Sequence, residues 1–132
     1  MFKPDLVFSK AGRPIAVIEA KTRPIPTEFE TAVYRQLESY VTEVGSPWAL
    51  LVDPVRTHIF RQNKPFMSLP TEEVLREVWP SLPKAIGEQT LLLAFSHWLP
   101  ELSRHRNQLQ RHPKLKDFAA EVEGAEPSFE GS

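Results

Sequence analysis

The sequence predicts an α/β domain with a mixed central sheet flanked by helices, on three observations. Two short apolar runs, Leu6-Val7-Phe8 and Ile15-Ala16-Val17-Ile18, flank a Ser9-Lys10-Ala11-Gly12-Arg13-Pro14 break, which is the pattern of a β-hairpin. A helical stretch from about Glu28 to Val44 separates the second run from a third, Trp48 to Val52, so those two strands form a β-α-β unit, parallel with a right-handed crossover. Arg56 to Arg61 alternates as a final strand, with Thr57, Ile59 and Arg61 on one face and His58 and Phe60 on the other.

At 132 residues, 41% hydrophobic and 25% charged, the chain suits one soluble globular domain. No apolar run is long enough to span a bilayer and no signal-peptide pattern opens the chain, so a cytoplasmic protein without membrane contact is expected. The absence of cysteine excludes disulfides, thiolate metal sites and cysteine nucleophiles. His58, His97, His105 and His112 show no zinc-binding spacing. A net charge of −1 gives no general pull toward nucleic acid, so any such attraction must come from local patches.

Along the chain, Pro24 and Pro26 prevent the second strand from continuing. Thr27 with Glu30 three residues later reads as a capping box that starts the helix. Phe29, Ala32, Val33, Leu37, Tyr40, Val41 and Val44 fall on one apolar stripe, and Gln36 falls inside it. A buried amide without partners costs roughly 1–3 kcal/mol, so Gln36 either faces a polar ligand or sits at the stripe's edge against water. Gly45-Ser46-Pro47 closes the helix, Asp53-Pro54-Val55 turns the chain, and residues 62–70 read as a loop.

Thr71-Glu72-Glu73 looks like a helix start, and Val74, Leu75, Val78 and Trp79 form an amphipathic face that stops at Pro80. From about Gly87 or Glu88 a strongly apolar helix runs to Pro100, suited to covering a sheet face or a subunit interface. The basic segment Ser103 to Lys116 reads either as a phosphate-tracking patch or as a solvated helix end. The expected organisation is one domain over 1–118, with a catalytic sheet and helix at 1–62, C-terminal helices at 71–112 and a flexible acidic tail at 119–132.

The hairpin carries the chemistry. Asp5 stands at the outer end of the first strand, and Glu19 and Lys21 at the outer end of the second, so antiparallel pairing brings all three to one end of the sheet. Alternation places Glu19 and Lys21 on one face and Ala20 on the other. Two carboxylates with water and phosphate oxygens suit Mg²⁺, and a lysine beside them can orient an attacking water or offset charge on a phosphate. The bland alternative is a solvent-exposed salt bridge worth about 0–1 kcal/mol.

Pro4-Asp5, then Glu19-Ala20-Lys21 after thirteen residues, followed by Gln36 and Tyr40 on a helix, resembles the PD-(D/E)xK nuclease signature with its QxxxY helix motif. The strings PDLVF, PIAVIEAK, QLESY, WALLVD and THIF are most similar to the nuclease domain of type I restriction-enzyme motor subunits and to RecB-like nucleases, over roughly the first half of the chain. The resemblance implies a restriction-endonuclease-like core and a DNA-cleaving endonuclease or exonuclease dependent on Mg²⁺, with Mn²⁺ as substitute. It implies that Asp5, Glu19 and the carbonyl of Ala20 ligate the metal, that Lys21 is the catalytic lysine and that Gln36 lines the site.

Arg23, Tyr40, Arg104, Arg106 and Arg111 are the candidate nucleic-acid contacts, with core packing as the ordinary role for Tyr40. The family places a helix, often bearing an acid, and a further strand before the aspartate strand. Those core elements are expected to be missing here, and the apolar helix from Glu88 is a candidate to fill that helix's place. A non-catalytic nucleic-acid-binding or protein-interaction module that keeps the fold is the alternative function. A first strand near the sheet edge suggests a homodimer, and the resemblance suggests membership of a larger restriction or repair assembly.

Overall fold

A computed structural model describes residues 3–130 as an α/β protein built on a six-stranded mixed, open sheet. Strands β1 (Leu6–Lys10) and β2 (Arg13–Ala20) form the expected hairpin. Its two-residue turn puts Ala11 at φ 51° and Gly12 at φ 76°, a left-handed pair that suits glycine and matches the twist of the strands. Helix α1 (Glu30–Val44) crosses to β3 (Trp48–Val52), which pairs parallel to β2, with Glu19 opposite Leu51 and Ala20 opposite Val52. Gly45, at φ 73°, ends α1 with its N–H donating to Val41 and Thr42 carbonyls.

Strand β4 (Arg56–Arg61) lies antiparallel to β3 as expected. The segment expected as a loop over 62–70 is instead strand β5 (Lys64–Pro70), antiparallel to β4. Gln62 (φ 52°) and Asn63 (φ 62°) form a second two-residue hairpin turn, and β5 is an edge strand, where proline's missing N–H costs no ladder bond. Helices α2 (Thr71–Val78), α3 (Glu88–Trp98), α4 (Arg106–Arg111) and α5 (Leu115–Val122) follow.

The expected flexible tail over 119–132 is corrected as far as the description reaches: 119–122 belong to α5, and β6 (Glu126–Phe129) pairs antiparallel with β1. Val122 and Ala125 are buried, and that apolar anchoring outweighs the acidic composition of the segment. Residues 131–132 of that expected tail lie outside the described residues. The strand order is β5-β4-β3-β2-β1-β6, so β1 is interior and the edge-strand argument for a homodimer does not hold for it.

The sheet has a large layer on one face and a small one on the other. Leu6, Phe8, Ile18, Trp48, Leu50 and Ile59 point into the main core with α2, α3 and α5, where Trp98 and Phe118 are also fully buried. The Trp98 indole N–H donates to the Gln108 carbonyl oxygen at 2.8 Å inside that layer, while Gln108 Nε2 is buried without a partner among the described residues. On the opposite face Val7, Val17 and Ala49 meet Tyr34, Leu37 and Val41 of α1.

The buried face of α1 is therefore narrower than the expected stripe and rotated toward Tyr34. Tyr34 stacks on Phe60 with ring centroids 3.8 Å apart and donates its hydroxyl to Asn63 at 2.8 Å. Ala32, Gln36 and Phe29 are left exposed. Nor does Thr27 cap the helix through its side chain: Thr27–Phe29 is a single 3-10 turn leading into α1.

Candidate functional site

Asp5 is fixed at three points at the end of the sheet. Its N–H donates to the Ile18 carbonyl at 3.1 Å, its carbonyl accepts from Glu130 N–H at 3.1 Å, and its Oδ2 accepts from Ala20 N–H at 2.8 Å. Half-buried Asp5 thus has little freedom, because both neighbouring strands and the β2 terminus hold its backbone and carboxylate. The last of these bonds joins the two parts of the PD and ExK patterns directly.

Glu19 and Lys21 share the α1 face of β2, while Ala20 turns into the main core, as strand alternation requires. Lys21 Nζ lies 3.1 Å from Glu19 Oε2. Glu19 is only 9% exposed, and its other oxygen, Oε1, is buried without a hydrogen-bond partner among the described residues. Burial, then the adjacent Asp5 carboxylate, push the Glu19 carboxyl up to about 7, against the opposing pull of Lys21. A solvent-exposed rim salt bridge would not have this signature.

A third acid joins the cluster that the sequence did not nominate. Glu88, the first residue of α3, lies close enough to Asp5 that this acidic neighbour, then partial burial, raise its pKa while Lys21 lowers it. Acids are common at helix N-termini for dipole reasons alone, so the residue carried no distinguishing signal beyond opening the helix expected to fill the absent element's place. Three carboxyl groups thus gather near one ammonium, an imbalance that favours the protonated forms of Glu19 and Glu88.

No group of three or more His, Cys, Asp or Glu side chains forms a metal cage among the described residues. Asp5, the Oε1 of Glu19 and the Ala20 carbonyl could supply oxygen donors of the kind Mg²⁺ takes, with water completing a shell.

Gln36 lies on the exposed side of α1, at the edge of the expected stripe, so it is not the buried amide that would have demanded a ligand. It shares the helix face of Phe29 and Val33, which border Lys21. Tyr40 is half-buried, its hydroxyl pKa raised by burial, Glu130 and Glu43. Arg23 is exposed two residues beyond Lys21.

Arg104, Arg106 and Arg111 belong to the layer on the other sheet face from Glu19 and Lys21. Arg111 is engaged by Glu73 at 3.0 Å and Glu77 at 3.1 Å, Arg104 lies 3.6 Å from Glu101, and Arg106 is exposed. A cavity of about 610 Å³ between α1 and β4–β5 includes none of Asp5, Glu19 and Lys21 in its lining.

Comparison with protein-family models, with curated proteins and with solved structures finds no significant match to this chain.

Proposed function

We propose that the chain is a metal-dependent nuclease of the PD-(D/E)xK type, with a restriction-endonuclease-like core, that hydrolyses phosphodiester bonds in DNA with Mg²⁺ or Mn²⁺. The observation that carries this reading is the buried, unpartnered Oε1 of Glu19, held beside Asp5 and Lys21 at the open end of the sheet. A buried acceptor left without a donor costs about 1–3 kcal/mol, an expense with no return in packing but with a clear one in cation binding.

Asp5, Glu19 and the Ala20 carbonyl would hold the ion. When bound, Mg²⁺ supplies Lewis acidity at a phosphoryl oxygen and lowers the pKa of a coordinated water. The side chains of the chain supply orientation and charge. Asp5 is locked by the Ala20 amide, so its carboxylate need not reorganise as a substrate arrives. Lys21, with its side chain 36% exposed, can keep its contact with Glu19 while presenting its remaining N–H donors to a phosphate or to the attacking water. Glu88, arriving from α3 near Asp5, would act as a positioning residue.

The test is cleavage of labelled single- and double-stranded DNA by the purified protein in Mg²⁺, Mn²⁺ or EDTA, beside Lys21→Ala and Glu19→Gln. Cleavage that requires the divalent ion and falls at least a hundredfold in both variants is expected. A wild-type protein that binds no Mn²⁺ by calorimetry and cuts no DNA overturns the reading and leaves a non-catalytic module.

A further inference from the structure

The site continues into a shallow groove of about 390 Å³ whose lining includes Lys21, Arg23, Ile25, Pro26, Phe29 and Val33. Lys21 belongs to both: its ammonium meets Glu19, and its stem forms one end of the groove. Phe29 is 56% exposed and stacks on no other ring among the described residues.

The wall that carries Phe29 is rigid. Asp53, 2% exposed, accepts from Ile25 N–H at 3.0 Å and also from Val55 and Arg56 amides at 2.7 and 2.8 Å, tying the Thr22–Pro26 segment to the β3–β4 turn. Pro24 and Pro26 fix their own φ angles, and Phe29 N–H donates to the Pro26 carbonyl at 2.9 Å. A preorganised exposed ring beside two cations is a stacking platform next to an electrostatic rail, the combination that binds single-stranded nucleic acid. The volume lies at the low end for small-ligand sites, about 300–1,000 Å³, and suits one nucleotide in place of a duplex.

We propose that this groove binds an unpaired nucleotide of DNA adjoining the metal site, its base stacked on Phe29 and its phosphate on Arg23, so that the protein selects single-stranded DNA or a single-stranded end over continuous duplex. The proposal deepens the nuclease reading and rests on it for the direction of the strand across Lys21.

The experiment measures binding of a 2-aminopurine-labelled single strand and of its duplex to the Glu19→Gln chain, in Ca²⁺ to suppress cleavage. Tighter binding of the single strand is expected, with quenching of the probe. Phe29→Ala should weaken single-strand binding about tenfold and leave duplex binding unchanged, and Phe29→Trp should restore it. Arg23→Ala should lower the salt dependence of single-strand affinity.

Equal affinity for duplex and single strand, or an unchanged single-strand affinity in Phe29→Ala, overturns the proposal. So does light scattering that shows Phe29 holding two copies of the chain together. Divalent-dependent cleavage that persists unaltered in Phe29→Ala removes the groove and keeps the nuclease. Stacking through Phe29 without cleavage by the wild type in Mg²⁺ or Mn²⁺ keeps the groove and removes the nuclease.

Discussion

Two acidic clusters in this protein use the same residue types to opposite ends. On α2, Glu73 receives Arg111 at 3.0 Å and the His112 ring at 2.9 Å, while Glu77 receives Arg111 at 3.1 Å and lies 3.5 Å from His105. Those two carboxylates share one guanidinium and have two imidazole rings beside them, and the cluster pins α2 to α4. At the sheet end, Asp5, Glu19 and Glu88 gather near one lysine, and a buried oxygen of Glu19 has no partner among the described residues. Matched charge staples a fold, whereas unmatched, buried negative charge stores a demand for a ligand.

The sharpest way to break this contrast is to supply a cation. Mg²⁺ at a hundred times its dissociation constant should stabilise the protein by about 2.7 kcal/mol. For a domain of this size that is a rise in Tm of roughly 8–12 °C in a thermal melt. Glu19→Gln should abolish the rise and Glu73→Gln should leave it intact. A rise that survives Glu19→Gln would place the cation elsewhere.

The second prediction concerns pH without metal. Because the folded-state pKa of Glu19 is raised to about 7 from an ordinary 4.5, the folded protein binds the proton more tightly than the unfolded chain does. The contribution is greatest below the unfolded pKa and is lost as pH rises from about 4.5 through about 7. In denaturant titrations at pH 8, Glu19→Gln should therefore be more stable than wild type by about 2–3 kcal/mol, with the difference shrinking toward pH 5. Glu88, shifted in the same direction, adds to the wild-type slope.

Glu73→Gln should have the opposite sign, destabilising by about 1–2 kcal/mol as it leaves Arg111 and His112 short of their shared partner. If both variants move stability the same way, the distinction between staple and site fails. The smallest effects are expected at exposed positions. Gln36→Ala should change stability by less than about 0.5 kcal/mol while reducing cleavage by less than about tenfold. Arg111→Ala should leave DNA affinity within about twofold in a filter-binding titration, because its charge is already spent on α2.

The hairpin and the β-α-β crossover were legible because period-two runs, a glycine-bearing turn and a helix between two strands leave few topologies. The meeting of Asp5 with Glu19 and Lys21 followed from antiparallel geometry alone. Strand β5 was missed because Pro65 and Pro70 signal loop, and only the pairing reveals an edge strand; Asn63, tolerant of positive φ, was the available turn signal. β6 was missed because acidic composition argued against order, while its anchoring comes from Val122 and Ala125 packing into a core assembled by distant elements. The phase of α1 depended on which face of the sheet remained open after the larger helical layer had formed on the other.

By itself the sequence determined which residues alternate along the hairpin, hence that two acids and a lysine share one end of the sheet, since side-chain direction in a strand is a local property. Only the tertiary structure decided that Glu19 is buried with an unpartnered oxygen, that Glu88 arrives from α3, that β6 closes over β1 and that Phe29 stays exposed beside Lys21. Burial and long-range approach depend on how separate segments pack, and no local pattern fixes that.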